Sequence, residues 1–470
     1  MRDYLKFYID GAFVDPVTPK SAEVINPATE EVSGHISLGS PADVDKAVAA
    51  ARRAFPSWST TSVKERLDLL LAIQAEYAKR SQELGEAVTE EMGAPLSLGC
   101  GFHIGLGAGH LQTAIEVLQN FKFEEQKGSS LIVKEAIGVC GLITPWNWPL
   151  NQVTVKIFPA IATGCTSVLK PPQLAPYSAQ ILAEIIHAAG TPAGVFNMVQ
   201  GQGSVIGAAL SKHPDVDMIS FTGSEAVGVQ IQKDAADTVK RVGLELGGKS
   251  AWIVLDDEDM VANVTNGTAS MMVNAGQTCS AGSRLLVPAS RLEEALAAAK
   301  AAAEGVTVGD PKGDVGMGPV VSKGQYNIIQ EYIEKGIAEG ARLVAGGAGR
   351  PEGLTKGWFV KPTVFAGTND MVIAREEIFG PVLVIIPYKD IDDAIAIAND
   401  SDFGLGGYVS GKDAEACRGI ARRLRTGAIW INGGFDFHAP FGGYKRSGNG
   451  REWGEHGFAE YVEVKSLIGY

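Results

Sequence analysis

Cysteine is scarce in this chain and does not pair. Five residues, at 100, 140, 165, 279 and 417, are scattered over 470 positions with no C-x-x-C among them. That spacing excludes a disulfide framework and a zinc knuckle, and it fits a reducing cytoplasm. Positive charge is also in deficit. A net charge of −13 disfavours nucleic acid and anionic membrane as partners, which attract basic patches. The amino end, "MRDYLKFYIDG", has no uninterrupted signal core. One uncharged stretch, 137–155, is broken by Pro145 and Pro149 and carries Asn147, Asn151 and Gln152. Those residues would strand polar groups in lipid, so it is read as a buried interior segment. The dinucleotide fingerprint G-x-G-x-x-G is missing as such; "GQGSVIG", with Gly201, Gly203 and Gly207, is one residue too long.

What is present alternates. "SPADVDKAVAAARRAF" predicts a helix capped by Ser40, with Pro41 in the first turn and Asp43 closing a capping box. Its apolar face is Val44, Ala47, Val48 and Ala51. The short apolar runs "GVCGLIT", "TSVLK", "FNMVQG", "MISFTG" and "AWIVLD" are partly separated by helical stretches, the pattern of a buried parallel sheet. The alternation resumes with "RLLVP", "ARLVAGG", "VLVIIPY" and "GAIWIN", predicting a second α/β unit that begins near Lys249. No low-complexity linker joins the two. "YVEVKSLI" near the carboxyl end alternates as an exposed or subunit-pairing strand does. A chain of 470 residues is long enough for two or three such units.

Two loops invite a phosphate. "FTGSEAVG" leaves an apolar run and enters a helix, with Gly223 and Gly228 allowing backbone N–H groups near a pyrophosphate. Lys170, ending "TSVLK", places a cation at a strand's carboxyl end, where open sheets bind ligands. Glycine-rich turns of this kind also occur for packing alone. The same ambiguity holds for "GQTCSAGSR", where Cys279 stands among small residues. A free cysteine there is read first as a packing residue.

The motifs taken together change that. "TPWNWP" (144–149), "VLKPP" (168–172), "FTGS" (221–224), "ELGGK" (245–249), "GQTC" (276–279), "EEIFGPV" (376–382) and "PFGGYKRSGNGRE" (440–452) resemble the NAD(P)-dependent aldehyde dehydrogenases, in that family's order and spacing. The likeness runs over essentially the whole chain, from "VINPATEEV" to "YVEVKSL". It implies an α/β fold of two Rossmann-related domains plus a small β oligomerisation arm. The cofactor domain would be 1–117 and 137–246, the catalytic domain 247–446, and the arm with its carboxyl-terminal strand 118–136 and 447–470. A homodimer or homotetramer is expected, with no metal.

By the same resemblance, Cys279 is the nucleophile that adds to an aldehyde, giving a thiohemiacetal and then a thioester. Asn147 and the Cys279 backbone N–H form the oxyanion hole, and Glu245 is the base that activates water. The presence of Glu245 implies the hydrolytic branch, with a free acid as product, rather than the coenzyme-A-acylating branch. Thr144, Pro145, Trp146, Lys170, Gln173, Gly203, Gly207, Phe221, Gly223, Ser224, Gly228, Leu246, Glu377 and Phe379 fall at cofactor positions, Glu377 holding the nicotinamide ribose. Lys156 and Glu452 match positions proposed for proton relay.

Two departures bear on specificity. Gln173 replaces the glutamate that grips the adenosine ribose in many NAD-preferring relatives, so NAD use with weakened discrimination against NADP is expected. Val155 stands where acetaldehyde-type relatives place tryptophan, and Trp148 replaces a phenylalanine. With Phe435, Phe437 and His438 at the mouth, these imply a wide apolar channel for medium-chain or aromatic aldehydes. A thiol esterase using Cys279 and Glu245, and an inactive structural relative, are the competing readings.

Overall fold

In the computed structural model, which describes residues 1–470, the first unit is built on an eight-stranded sheet. Its order is Gly448–Asn449, Arg241–Glu245, Met218–Thr222, Val139–Ile143, Thr166–Lys170, Phe196–Met198, Phe7–Ile9 and Ala12–Val14. The five strands from Arg241–Glu245 to Phe196–Met198 are parallel, and the edges are antiparallel. These strands are apolar and mostly buried because helices cover both faces. The helix predicted at Ser40 spans Pro41–Trp58. Asp43 accepts from the Ser40 backbone N–H at 2.9 Å and from its hydroxyl at 2.7 Å. Val44, Ala47, Val48 and Ala51 are fully buried against the sheet, each larger side chain contributing about 1.5–3 kcal/mol by leaving water.

The sheet's chain order reverses direction at strand Val139–Ile143. Its neighbours are Thr166–Lys170 on one side and Met218–Thr222 on the other. Ligands of open α/β sheets bind at such a switch, beyond the carboxyl ends of the strands. The loops that leave these ends are Thr144–Trp148 and Gly223–Ser224.

The second unit has a seven-stranded sheet in the order Arg342–Ala345, Thr363–Ala366, Val382–Tyr388, Arg284–Pro288, Ala251–Val254, Gly406–Ser410 and Ala428–Ile431. Only the first of these is antiparallel to its neighbour. Residues 246–250 carry the chain directly from the carboxyl end of Arg241–Glu245 to the amino end of Ala251–Val254. The strand ends that bind ligands in the first sheet therefore face the strand beginnings of the second. Arg284, fully buried, locks this junction: its guanidinium donates to the carbonyls of Lys249 at 3.0 Å, Ile397 at 3.0 Å and Ala398 at 3.0 Å. The last two lie in the final turn of helix Ile391–Asn399, where carbonyls lack helical partners.

Strand Val462–Ile468 pairs antiparallel with Ser130–Ala136, which folds back on Glu124–Lys127. This three-stranded sheet lies within the segments 118–136 and 447–470. The rest of the segment grouped with it lies elsewhere. Gly448–Asn449 edges the first sheet beside Leu244 and Glu245, and helix Gly454–Ala459 packs on helices Ile104–Asn120 and Pro149–Thr163. A two-residue strand has no apolar periodicity to announce it, so the sequence placed that boundary too early. A further small sheet joins Arg2–Tyr4, Glu31–Ser37 and Ser21–Asn26.

Candidate active site

Cys279 follows a strained turn. Helix Met260–Met272 ends, and Asn274 (φ 56°), Ala275 (φ 53°) and Gly276 (φ 70°) are then all left-handed. A left-handed alanine costs about 1–3 kcal/mol and persists only where its surroundings hold it. The Gln277 carboxamide does the holding, donating to the Asn274 carbonyl at 3.0 Å and accepting from the Val321 N–H at 2.9 Å. At Gly276 a Cβ would run into the Gly380 backbone, which a side chain could not displace. The turn releases Thr278 and Cys279 at the wall of a cavity. Burial, then the Glu377 and Glu245 carboxylates, push the Cys279 thiol up to about 12.

Asn147, 2% exposed, lies across from this turn. Its Nδ2 donates to the Gln277 carbonyl at 3.2 Å, its own carbonyl accepts from Asn274 Nδ2 at 2.7 Å, and its Oδ1 has no partner. Trp148 Nε1 donates to Thr278 Oγ1 at 2.9 Å. The first unit's loop thus clamps the residues just before Cys279.

Glu245 ends strand Arg241–Glu245, is 4% exposed, and has no hydrogen-bond partner on either carboxylate oxygen. Burial and then Glu452 raise its carboxyl well above the ordinary range. It lines a small cavity with Ser220, Arg451, Glu452 and Tyr461, and its charge also acts on the Cys279 thiol. Lys156 donates to Ser220 Oγ at 3.0 Å and is ion-paired with Glu452.

The cavity at Cys279 measures about 300 Å³ and is lined from both units. Pro145, Trp146, Asn147, Thr222, Gly223 and Ser224 come from the first sheet's switch, and Glu377, Ile378 and Phe379 from the second unit. Leu246 and Gly247 join them. Glu377 accepts from the Gly248 N–H at 2.9 Å, and burial brings its carboxyl up to about 7. Gly247 has no room for a Cβ beside that carboxylate. Phe379 is held at φ 56°, its ring perpendicular to Trp146 with centroids 5.4 Å apart. Gln325, absent from the sequence reading, fixes this loop by donating to the carbonyls of Ile378 at 3.2 Å and Phe379 at 3.0 Å. Thr222, Gly247, Gln325, Ile328 and Ile378 were missed because small or aliphatic residues without a motif carry no signal of a wall.

The remaining expected cofactor residues lie outside this cavity. Phe221 is buried in the first unit's core. It precedes Thr222, and alternate strand residues point to opposite faces. Gly228 lets Leu246 close over it, and Thr144 is buried with its hydroxyl unpartnered. Lys170, pushed down to about 8 by burial, lies beside Gly203, where an added Cβ would sit 3.9 Å from its Nζ. Gly203–Gly207 forms one wide turn, and Gln173 is half-buried. Ser224 precedes helix Glu225–Ala235, whose N-terminus suits an anion. The donor set fits a dinucleotide: a lysine and a helix N-terminus for phosphate, a carboxylate for ribose hydroxyls, and an aromatic wall for a flat ring.

On helix Pro149–Thr163 and the residue before it, Trp148, Asn151, Gln152 and Val155 share one face at helical spacing. Trp148 stacks on His103 with centroids 4.4 Å apart and meets Phe102 edge-on at 5.5 Å. Phe437 packs on Gly109 and lies edge-on to His110 at 5.2 Å; Phe435 meets Phe437 at 4.9 Å. Trp453 closes the cluster against His110 and Phe435. His438, exposed, pairs with Glu116 at 2.9 Å. Val155 is buried in the helix. His103, His110 and Trp453 were missed. The signal was present in "FHIGLGAGH", where His103, Gly107 and His110 recur on one helical face.

No helix of the chain is long and apolar enough to cross a membrane, and no cluster of His, Cys, Asp and Glu could hold a metal ion. Residues 13–467 match the model of the aldehyde dehydrogenase family. A Pseudomonas 3-succinoylsemialdehyde-pyridine dehydrogenase is 53% identical, over all of this chain and 99% of the relative. A putative aldehyde dehydrogenase of Staphylococcus aureus is 51% identical over both full lengths. Among solved structures, aldehyde dehydrogenase C of Pseudomonas syringae, a mutant with NAD+ and octanal bound, is 49% identical with a TM-score of 0.98, covering 99% of this chain and 96% of that one. A Mycobacterium tuberculosis aldehyde dehydrogenase with NAD+ bound is 43% identical with a TM-score of 0.96, covering 99% and 98%.

Proposed function

The chain belongs to the aldehyde dehydrogenase family, and from that premise we propose that it oxidises medium-chain or aromatic aldehydes to carboxylic acids with NAD+ as the oxidant. In this reading 1–117 and 137–246 hold the cofactor and 247–446 supplies the nucleophile. The bound nicotinamide supplies a hydride acceptor. Everything else falls to the chain's own side chains.

Cys279, as thiolate, adds through Sγ to the aldehyde carbon and turns the carbonyl oxygen into an oxyanion. Asn147 Nδ2 and the Cys279 backbone N–H receive that charge; losing one such donor costs about 3 kcal/mol in the barrier. With the C–H hydride gone, the acyl group stays on Sγ as a thioester. Glu245 takes a proton from water, the resulting hydroxide attacks the acyl carbon, and the Cys279 thiolate leaves with the carboxylic acid formed. A carboxylate whose pKa is raised by burial is a stronger base near neutral pH. Lys156 and Glu452, paired behind it, offer a route for that proton.

The observation that carries the reading is the clamp of Asn147 on the Cys279 turn, at a cavity whose opposite wall is Glu377. The aromatic lining favours the substrate class, as does the octanal bound by the Pseudomonas syringae relative. Five unpaired cysteines favour the cytoplasm. The test is a panel of octanal, benzaldehyde and acetaldehyde with NAD+, following reduced cofactor and acid. Equal yields of both are expected, with acetaldehyde the poorest substrate, and Cys279→Ser should abolish turnover. Ester hydrolysis with no cofactor reduction by any aldehyde would make the protein a thiol esterase instead.

A further inference from the structure

Aromatic rings crowd the start of helix Pro149–Thr163, yet its first turn carries two carboxamides. Asn151 and Gln152 stand on the same helical face as Trp148 and Val155, and Trp148 reaches the residue before Cys279. Gln152 is 5% exposed, and its amide has no protein partner. Asn151 spends only its Oδ1, which accepts from His110 Nε2 at 2.7 Å; its Nδ2 also has no protein partner and remains accessible. His110 is itself held by ring contacts to Phe437 and Trp453. Burial takes it down to about 4, so the imidazole is neutral at working pH.

Two unspent amides in an apolar corridor would cost binding energy against a purely hydrocarbon substrate, because each must shed water without replacement. We propose that Asn151, oriented by His110, together with Gln152, donates to a carbonyl oxygen on the chain of the substrate, so that the favoured aldehydes are uncharged aryl or alkyl aldehydes carrying a second carbonyl. This rests on the aldehyde oxidation proposed above and adds the recognition of the tail. The corridor has no spare cation for a carboxylate. Lys156 is taken by Glu452, and His438 at the mouth is taken by Glu116. Dicarboxylic semialdehydes are therefore poorly matched. Asn151 and Gln152 bind substrate; His110 is a positioning residue that fixes which edge of the Asn151 amide faces the corridor.

Two aldehydes of matched size test this: 4-oxo-4-phenylbutanal and 4-phenylbutanal, each with saturating NAD+. The wild-type protein should prefer the keto-aldehyde in kcat/KM by about tenfold or more, the effect of one or two neutral hydrogen bonds. Asn151→Leu and Gln152→Met should each bring the ratio towards one, chiefly through KM. His110→Phe should do so through Asn151 while the helix stays folded. Asn151→Asp, which keeps the shape and loses the donor, covers the case in which Asn151→Leu misfolds. A wild-type ratio near one, or a ratio that survives Asn151→Asp and Gln152→Met, overturns the assignment while aldehyde oxidation stands. No cofactor reduction with either compound, or with octanal, would instead sink the function itself.

Discussion

The Cys279 thiol is a poor nucleophile in the cofactor-free protein, because its surroundings oppose the charge it needs. Burial raises its pKa to about 12, and two carboxylates add to the effect. A raised thiol pKa means that thiolate appears only as pH rises. Alkylation by iodoacetamide without cofactor should therefore be slow at neutral pH and rise about tenfold per pH unit between about pH 7 and pH 9. A rate already flat above pH 7 would mean the thiolate is preformed. Gln173 makes a second residue-scale prediction. A neutral amide offers no repulsion to a 2′-phosphate, so NAD should be favoured over NADP by less than about a thousandfold, ~4 kcal/mol. Gln173→Glu should widen that ratio at fixed aldehyde, and a ratio that does not move would remove the residue from cofactor choice. The motifs single out Cys279, Asn147 and Glu245, and the structure brings Asn147 to the turn before Cys279. The absence of any protein hydrogen-bond partner on the buried Glu245 carboxylate was not legible in them, since its surroundings come from distant segments such as 448–452.

At the scale of elements, the turn 274–276 carries the most strain for its length. Three left-handed residues in a row, two of them not glycine, are held by Gln277 and by the Asn147 clamp. Gly276→Ala must move the turn away from the Gly380 backbone, and Cys279 moves with it. A misplacement of about 1 Å costs on the order of a hundredfold in rate, so kcat/KM should fall by at least that much. The melting transition should remain, since the strain is local. Full activity in the variant would show that the turn's conformation does not set the nucleophile. The helix at Ser40 shows the opposite case. Its cap, proline and apolar face are all local, and each was readable. The left-handed path at Ala275 was unreadable because alanine prefers ordinary helix, and only contacts 130 residues away in sequence override it.

Across the whole molecule, the arm leaves the body with little to cover it. Val464 is 64% exposed and Ile468 85% exposed on a three-stranded sheet, and small isolated sheets are marginal alone. Apolar side chains on such a strand are expected to be covered by another copy of the chain. Deleting residues 462–470 should convert a dimer or tetramer to monomer in sedimentation, with a loss of stability shared by all copies. If the full-length chain sediments as a monomer, the arm has another role. The division into two α/β units was visible in the alternation of apolar runs, because buried parallel strands need no partner-specific signal. The place of 447–461 was invisible because a short edge strand is defined by its neighbour.

The sequence by itself determined the two sheets, the capped helices and the family, because each is written in short-range pattern and motif. Only the tertiary structure decided that the carboxyl ends of one sheet face the amino ends of the other, with Asn147 reaching across to the Cys279 turn. It alone set the Asn151 amide against His110 among aromatic rings and left the buried Glu245 carboxylate without a protein partner. Direction and burial arise from residues far apart in the chain, and no local pattern encodes them.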